Sequence, residues 1–100
     1  IVREYLNMLL PDTWDEMDIY RRRDYFRDME DPTRPKGSIK RMEVSNIEIW
    51  CECFGKAKED IKPVDSYAIS AIMKRLKDWQ RSDNRRTMPI YGRQRIYTRI

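Results

Sequence analysis

The residues best suited to chemistry lie at the C-terminal end. Positions 74–100 hold nine basic side chains against two acidic ones, Asp78 and Asp83. Among them Arg81, Arg85, Arg86, Arg93 and Arg95 flank what the sequence predicts to be a hairpin. Arginine there can bridge phosphate oxygens in bidentate fashion or enter a minor groove. Tyr91 and Tyr97 are interleaved with the arginines, a pattern that can stack on unpaired bases. Just upstream, Tyr67, Ser70, Ala71 and Lys74 share one face of a predicted helix, flanked by Arg75 and Lys77. Small side chains on such a face let the backbone approach base edges, and Tyr67, Ser70 and Lys74 can donate or accept there. The plainer alternatives are a solvated surface, or a dock for an acidic protein. Tyr97 can simply pack across the hairpin, and Asp78 at the end of the helix face counts against groove insertion.

Other chemistries are poorly served. The chain has no histidine, which removes Cys–His and Ser–His nucleophilic arrangements. Cys51 and Cys53 stand two apart, roughly 200° around a helix, so they suit neither one metal nor a mutual disulfide. Free buried thiols agree with a reducing compartment. The three glycines, Gly37, Gly55 and Gly92, are isolated, so no phosphate loop is present. Glu48 and Glu52 share a helix face, but that spacing is common in charged helices. These features predict no catalytic residue, no metal and no cofactor.

Charge is distributed unevenly. Residues 1–33 carry five arginines against nine acids, a net of −4, whereas residues 34–100 carry sixteen basic residues against eight acids, a net of +8. A field this lopsided suits a polyanion at one end of the molecule. The length of 100 residues suits one domain with a modest core. The chain begins at Ile1 and is read as part of a longer protein. No apolar run approaches the roughly 20 residues that span a bilayer, and no leader suggests secretion. The expectation is a soluble cytoplasmic protein.

Positioning those residues requires a set of small elements. Ile1, Val2, Tyr5, Met8 and Leu9 have helical spacing before Pro11 ends the run, and Trp14 is an anchor candidate. Asp18 caps a predicted helix to Met29, with Ile19, Phe26 and Met29 as its stripe. The Arg21-Arg22-Arg23 triplet points to three sides of that helix and is expected to be mainly solvated beside Asp18, Asp24 and Asp28. Residues 30–40 contain two prolines and a glycine and form a loop where the charge changes sign. Arg41 to Val44 can pair as an edge strand. Ser45 and Glu48 form a capping box for a helix ending at Phe54, with Gly55 after it. Its stripe is Ile47, Trp50, Cys51 and Phe54. Asp65 is the expected cap of a helix from Ser66 to Lys77, with Ile69, Ile72, Met73 and Leu76 inward. Ser82-Asp83-Asn84 has turn chemistry, Tyr91-Gly92 is a second bend, and the chain alternates from Arg93 onward as a strand.

The predicted class is α+β, mainly helical. Residues 1–33 form an acidic helical segment, residues 34–40 a loop, and residues 41–100 a winged helix-turn-helix-like module of two core helices plus a C-terminal β-hairpin. In such modules the second helix enters the major groove. The predicted nucleic-acid-binding set is therefore Tyr67, Ser70, Lys74, Arg75, Arg81, Arg85, Arg86, Arg93 and Arg95. A continuous basic surface across helix and hairpin would favour nucleic acid. An apolar patch lined by Tyr67, Ala71, Ile90 and Tyr91 would favour a protein partner.

The segments SNIEIWCECFGKAKEDIKPVDSYAISAIMKRLKDWQ and RTMPIYGRQRIYTR resemble the C-terminal region of the virulence-associated protein E family. The opening YLNMLLPDTWDEMDIYRRRDYF resembles the stretch preceding it, so the likeness spans roughly residues 3–99. Its most specific elements are Glu48-Ile49-Trp50, Trp79 and Tyr91-Gly92-Arg93-Gln94. Those proteins are encoded by phages and mobile elements and resemble primase–helicases with an ATPase ahead of this tail. The resemblance implies a non-catalytic accessory domain of a replication protein, with DNA and the upstream ATPase as partners. The alternative is a protein–protein module that docks on the ATPase, a second copy or a host replication factor. A standalone transcription regulator is a third expectation, disfavoured by the missing ligand domain.

Overall fold

Helical periodicity and local caps set most elements of residues 1–100, all described by the computed structural model. Helix α1 (Val2–Asn7) buries Val2, Tyr5 and Leu6. It ends earlier than its apolar spacing predicts, because Met8 turns to extended backbone ahead of Pro11. A single 3-10 turn, Trp14–Glu16, seats Trp14 in the interior. Helix α2 (Ile19–Arg27) starts as expected, with Asp18 accepting from the Arg21 amide at 2.8 Å. The following loop is pinned by a bridge between Leu10 and Ile39. At Gly37 a Cβ would lie 2.2 Å from the Leu9 carbonyl oxygen, so only glycine fits.

Strand β1 (Glu43–Ser45) leads into the central helix α3, α-helical over Asn46–Glu48 and π-helical over Ile49–Cys53. The capping box is present: the Ser45 amide donates to Glu48 at 2.9 Å, and the Glu48 amide donates to the Ser45 hydroxyl at 3.4 Å. The wider turn closes through the Phe54 amide on the Ile49 carbonyl at 3.0 Å, and Gly55 follows with φ +69. Every residue from Ile47 to Cys53 is buried, so this helix is enclosed on all sides rather than striped. Helix α4 (Pro63–Arg75) buries Ile69 and Met73 as predicted. It begins two residues before the expected cap. Pro63 occupies its first turn, and Asp65 lies inside the helix, accepting from the Lys62 amide at 3.0 Å.

Strands β2 (Trp79–Met88) and β3 (Gly92–Arg99) complete an antiparallel sheet of order β1-β3-β2. Ser82-Asp83-Asn84, expected as a turn, instead lies in a bulge between Arg81 and Arg85 within β2. The bend is at residues 89–91. Ile90 there has φ 74, a strained value for a β-branched residue. The tip is held by the Tyr91 hydroxyl, which donates to Glu52 at 2.6 Å.

The fold is α+β, with four helices and one three-stranded antiparallel sheet. Its main core joins Val2, Tyr5 and Leu6 to Val44, Ile49, Ile69, Met73 and Trp79. The last strand also reaches the first helix, because Arg99 donates to the Leu6 carbonyl at 2.8 Å. Residues 34–40 thus divide the charge of the chain but not its packing. No helix is long and apolar enough to cross a membrane.

The interior also contains charge. Glu52 is 1 % exposed and receives the Tyr5 hydroxyl at 2.6 Å, the Tyr91 hydroxyl at 2.6 Å and Arg22 at 3.2 Å. Arg22 also donates twice to the Trp14 carbonyl, at 3.2 and 2.9 Å. This corrects the solvated expectation for two of the three arginines, whereas Arg21 is exposed as expected. Arg22 is 2 % exposed, and Arg23 caps the Cys51 and Lys56 carbonyls at 3.0 Å each. Arg41 pairs with Glu48 at 3.3 Å and lies over the Tyr5 ring at 4.4 Å and the Trp14 ring at 5.3 Å. Those ring faces compensate its Nε and Nη2, which have no hydrogen-bond partner.

Candidate nucleic-acid interface

The site is built on the hairpin. Register sets Arg81 opposite Tyr97, Arg85 opposite Arg95 and Thr87 opposite Arg93. Directly opposed residues point to the same side of a sheet. Arg81, Arg85, Arg93 and Arg95 therefore form one row on the side that carries Tyr97. All four are exposed, and none has an ion-pair or side-chain hydrogen-bond partner. The acidic N-terminal segment does not cover them.

Helix α4 meets this face at Tyr97, whose hydroxyl donates to Ser70 Oγ at 3.0 Å. Asn46, from the first turn of α3, donates to Ser66 Oγ at 3.0 Å and to Ser70 Oγ at 2.9 Å. Between helix and hairpin lies a cleft of about 350 Å³, bounded by Asn46, Ser66, Tyr67, Ser70, Arg81, Gln94, Arg95 and Tyr97. The Tyr67 side chain stands at its rim, 74 % exposed.

Of the predicted site residues, the fold thus brings Tyr67, Ser70, Arg81 and Arg95 around one cleft, with Arg85 beside Arg95 and Arg93 further toward the tip. Lys74 and Arg75 are exposed near the end of α4 but do not line the cleft. Arg86 leaves the group. It pairs in register with Gln94, forms an ion pair with Glu43, and borders a separate cavity of about 310 Å³ beside Arg41 and Glu48. Tyr91 is buried on Glu52 and offers no ring to a ligand. The apolar patch of Tyr67, Ala71, Ile90 and Tyr91 is accordingly not formed. Asn46, Ser66 and Gln94 were missed by the sequence reading. Asn46 was absorbed in the Ser45–Glu48 cap, and nothing local to Ser66 or Gln94 shows that they border a common cleft.

Burial shifts several interior groups. Burial, only partly opposed by Arg41 and reinforced by Glu52, raises the Glu48 carboxyl to about 7. Burial likewise pushes the Cys51 and Cys53 thiols to about 11, so neither is an activated nucleophile. The hydroxyls of Tyr5 and Tyr91 are also held above the usual tyrosine value by burial.

No protein-family model matches this chain, and no curated protein matches it either. The arrangement itself offers fixed positive charge in a row, hydroxyl and amide groups in a cleft, and one exposed aromatic ring.

Proposed function

We propose that this chain is a non-catalytic DNA-binding domain that grips phosphates through its arginine hairpin. Its order of strand, two helices and hairpin supports a winged-helix-like description, with α4 in the second-helix position. The resemblance noted in the sequence implies such a domain behind the ATPase of a phage-type replication primase–helicase, and we take its location to be the cytoplasm. There it would hold the template, while catalysis resides upstream.

The observation that carries this proposal is the unpaired row of Arg81, Arg85, Arg93 and Arg95. Like charges placed directly opposite on a strand pair destabilise a hairpin, and Arg85 faces Arg95 with no acid between them. Folding gains nothing from that pair. A polyanion bound across it converts the repulsion into affinity. The test is a DNA-binding titration on the wild-type chain and on a charge-reversal variant of Arg85, Arg93 and Arg95. Binding is expected to vanish in the variant, and unchanged binding would refute the proposal.

The rival function, docking on the ATPase, a second copy or a host replication factor, has one observation in its favour. Val64 and Tyr67 are 68 % and 74 % exposed on the outer side of α4.

A further inference from the structure

We propose that the domain takes single-stranded rather than duplex DNA, with one unpaired nucleotide lodged in the cleft between α4 and the hairpin. This inference rests on the arginine row being a phosphate track, as argued above.

A duplex reader would have to insert the outer face of α4 into a major groove. That face is poorly equipped for it. Ser70 is turned toward the hairpin, where it accepts from Asn46 and Tyr97. Val64, Tyr67, Ala68 and Ala71 leave the exposed surface largely apolar, with cations only at its last turn.

The cleft, by contrast, has what an unpaired nucleotide requires. A pocket of about 350 Å³ lies within the range of small-ligand sites. Its walls offer the hydroxyls of Ser66 and Ser70 to a base edge. The exposed Tyr67 ring at the rim is free to stack on a base, and such stacking is sequence-tolerant because every base has a π-face. Arg81 and Arg95 stand at the same opening, where the phosphates flanking that base would pass. Alternate residues on a strand lie roughly 6.6 Å apart, so Arg93 and Arg95 continue the track in steps suited to a stretched single strand. A rigid duplex cannot enter the cleft without giving up a base pair.

Anisotropy titrations of the full chain with a labelled oligothymidylate, and with a mixed-sequence duplex of equal length, test the assignment. The single strand is expected to bind at least tenfold more tightly at the same salt. Tyr67→Ala should weaken single-strand binding about tenfold and leave duplex binding unchanged, while Tyr67→Phe should retain full affinity. Equal or tighter duplex binding, or a Tyr67→Ala variant that binds the single strand normally, overturns the inference but leaves the arginine track standing. Failure to bind either DNA overturns both. Tyr67 is exposed, so its variants carry little risk to folding.

Discussion

The chain has two arginine-rich stretches of similar composition, and the fold treats them in opposite ways. In α2, Arg22 is sealed against Glu52 and the Trp14 carbonyl, and Arg23 closes off the end of α3. On the hairpin, Arg81, Arg85, Arg93 and Arg95 stand in water without a partner. Interior guanidinium groups must be paired, because a lone buried charge costs several kcal/mol. Exposed ones cost little, and a cluster of them without partners is free to meet an external anion. The first stretch holds the fold together and the second is free to bind.

The contrast can be broken most severely at Arg22. Arg22→Ala removes the nearer of the two cations that face buried Glu52, leaving Arg41 at 4.0 Å, and about 3 kcal/mol of stability should be lost. Chemical denaturation measures this. Arg93→Ala should move the midpoint hardly at all.

A pH series probes the same interior. Glu48 titrates near 4.5 in an unfolded chain and at about 7 in the fold. Through that window the folded state retains a proton that the unfolded state has released. The Glu48 contribution to stability is therefore greatest below the window, declines as pH rises through it, and is flat above. The decline should amount to a few kcal/mol in order of magnitude, followed by urea midpoints. In Glu48→Gln this part of the slope should disappear.

Smaller effects sharpen the boundary between the regions. Ser45→Ala removes the α3 cap and should cost about 1–2 kcal/mol. Arg85→Thr relieves the repulsion with Arg95 and adds a strand-favouring residue. It should raise the thermal midpoint, by about 0.2–1 kcal/mol in stability, while weakening DNA binding. A substitution that stabilises the fold and impairs binding is what a site under functional demand should yield.

Much of the first-order architecture was legible because its causes are local. Asp18, the Ser45–Glu48 box, Gly55 and the Ile69–Met73 stripe each act within a turn or two of helix, and all stand where their residue types place them. The last strand was legible through its alternation from Arg93, while the bend lies at residues 89–91, just ahead of the expected Tyr91-Gly92, and the extent of β2 was not read. The interior network was not. Arg22 and Glu52 are 30 positions apart, and Tyr91 is 39 from Glu52, so no window of sequence shows their pairing. Ser82-Asp83-Asn84 misled because its turn-forming groups serve equally well in a bulge, where Asn84 donates its amide to Ser82 Oγ at 3.2 Å. At the interface, residue type identified the arginines, but register decided which of them act together. It joined Arg81, Arg85, Arg93 and Arg95 and sent Arg86 to Glu43.

The most direct test of this account is the salt dependence of single-strand binding in the wild type and in an Arg85→Ser, Arg95→Ser double variant. Each phosphate contact on a single strand adds about 0.7 to the slope of log K against log salt. Loss of two contacts should therefore flatten the slope by about 1.4, with the fold intact by circular dichroism. An identical slope in the two proteins would mean that these arginines do not touch phosphate, and the central claim would fail.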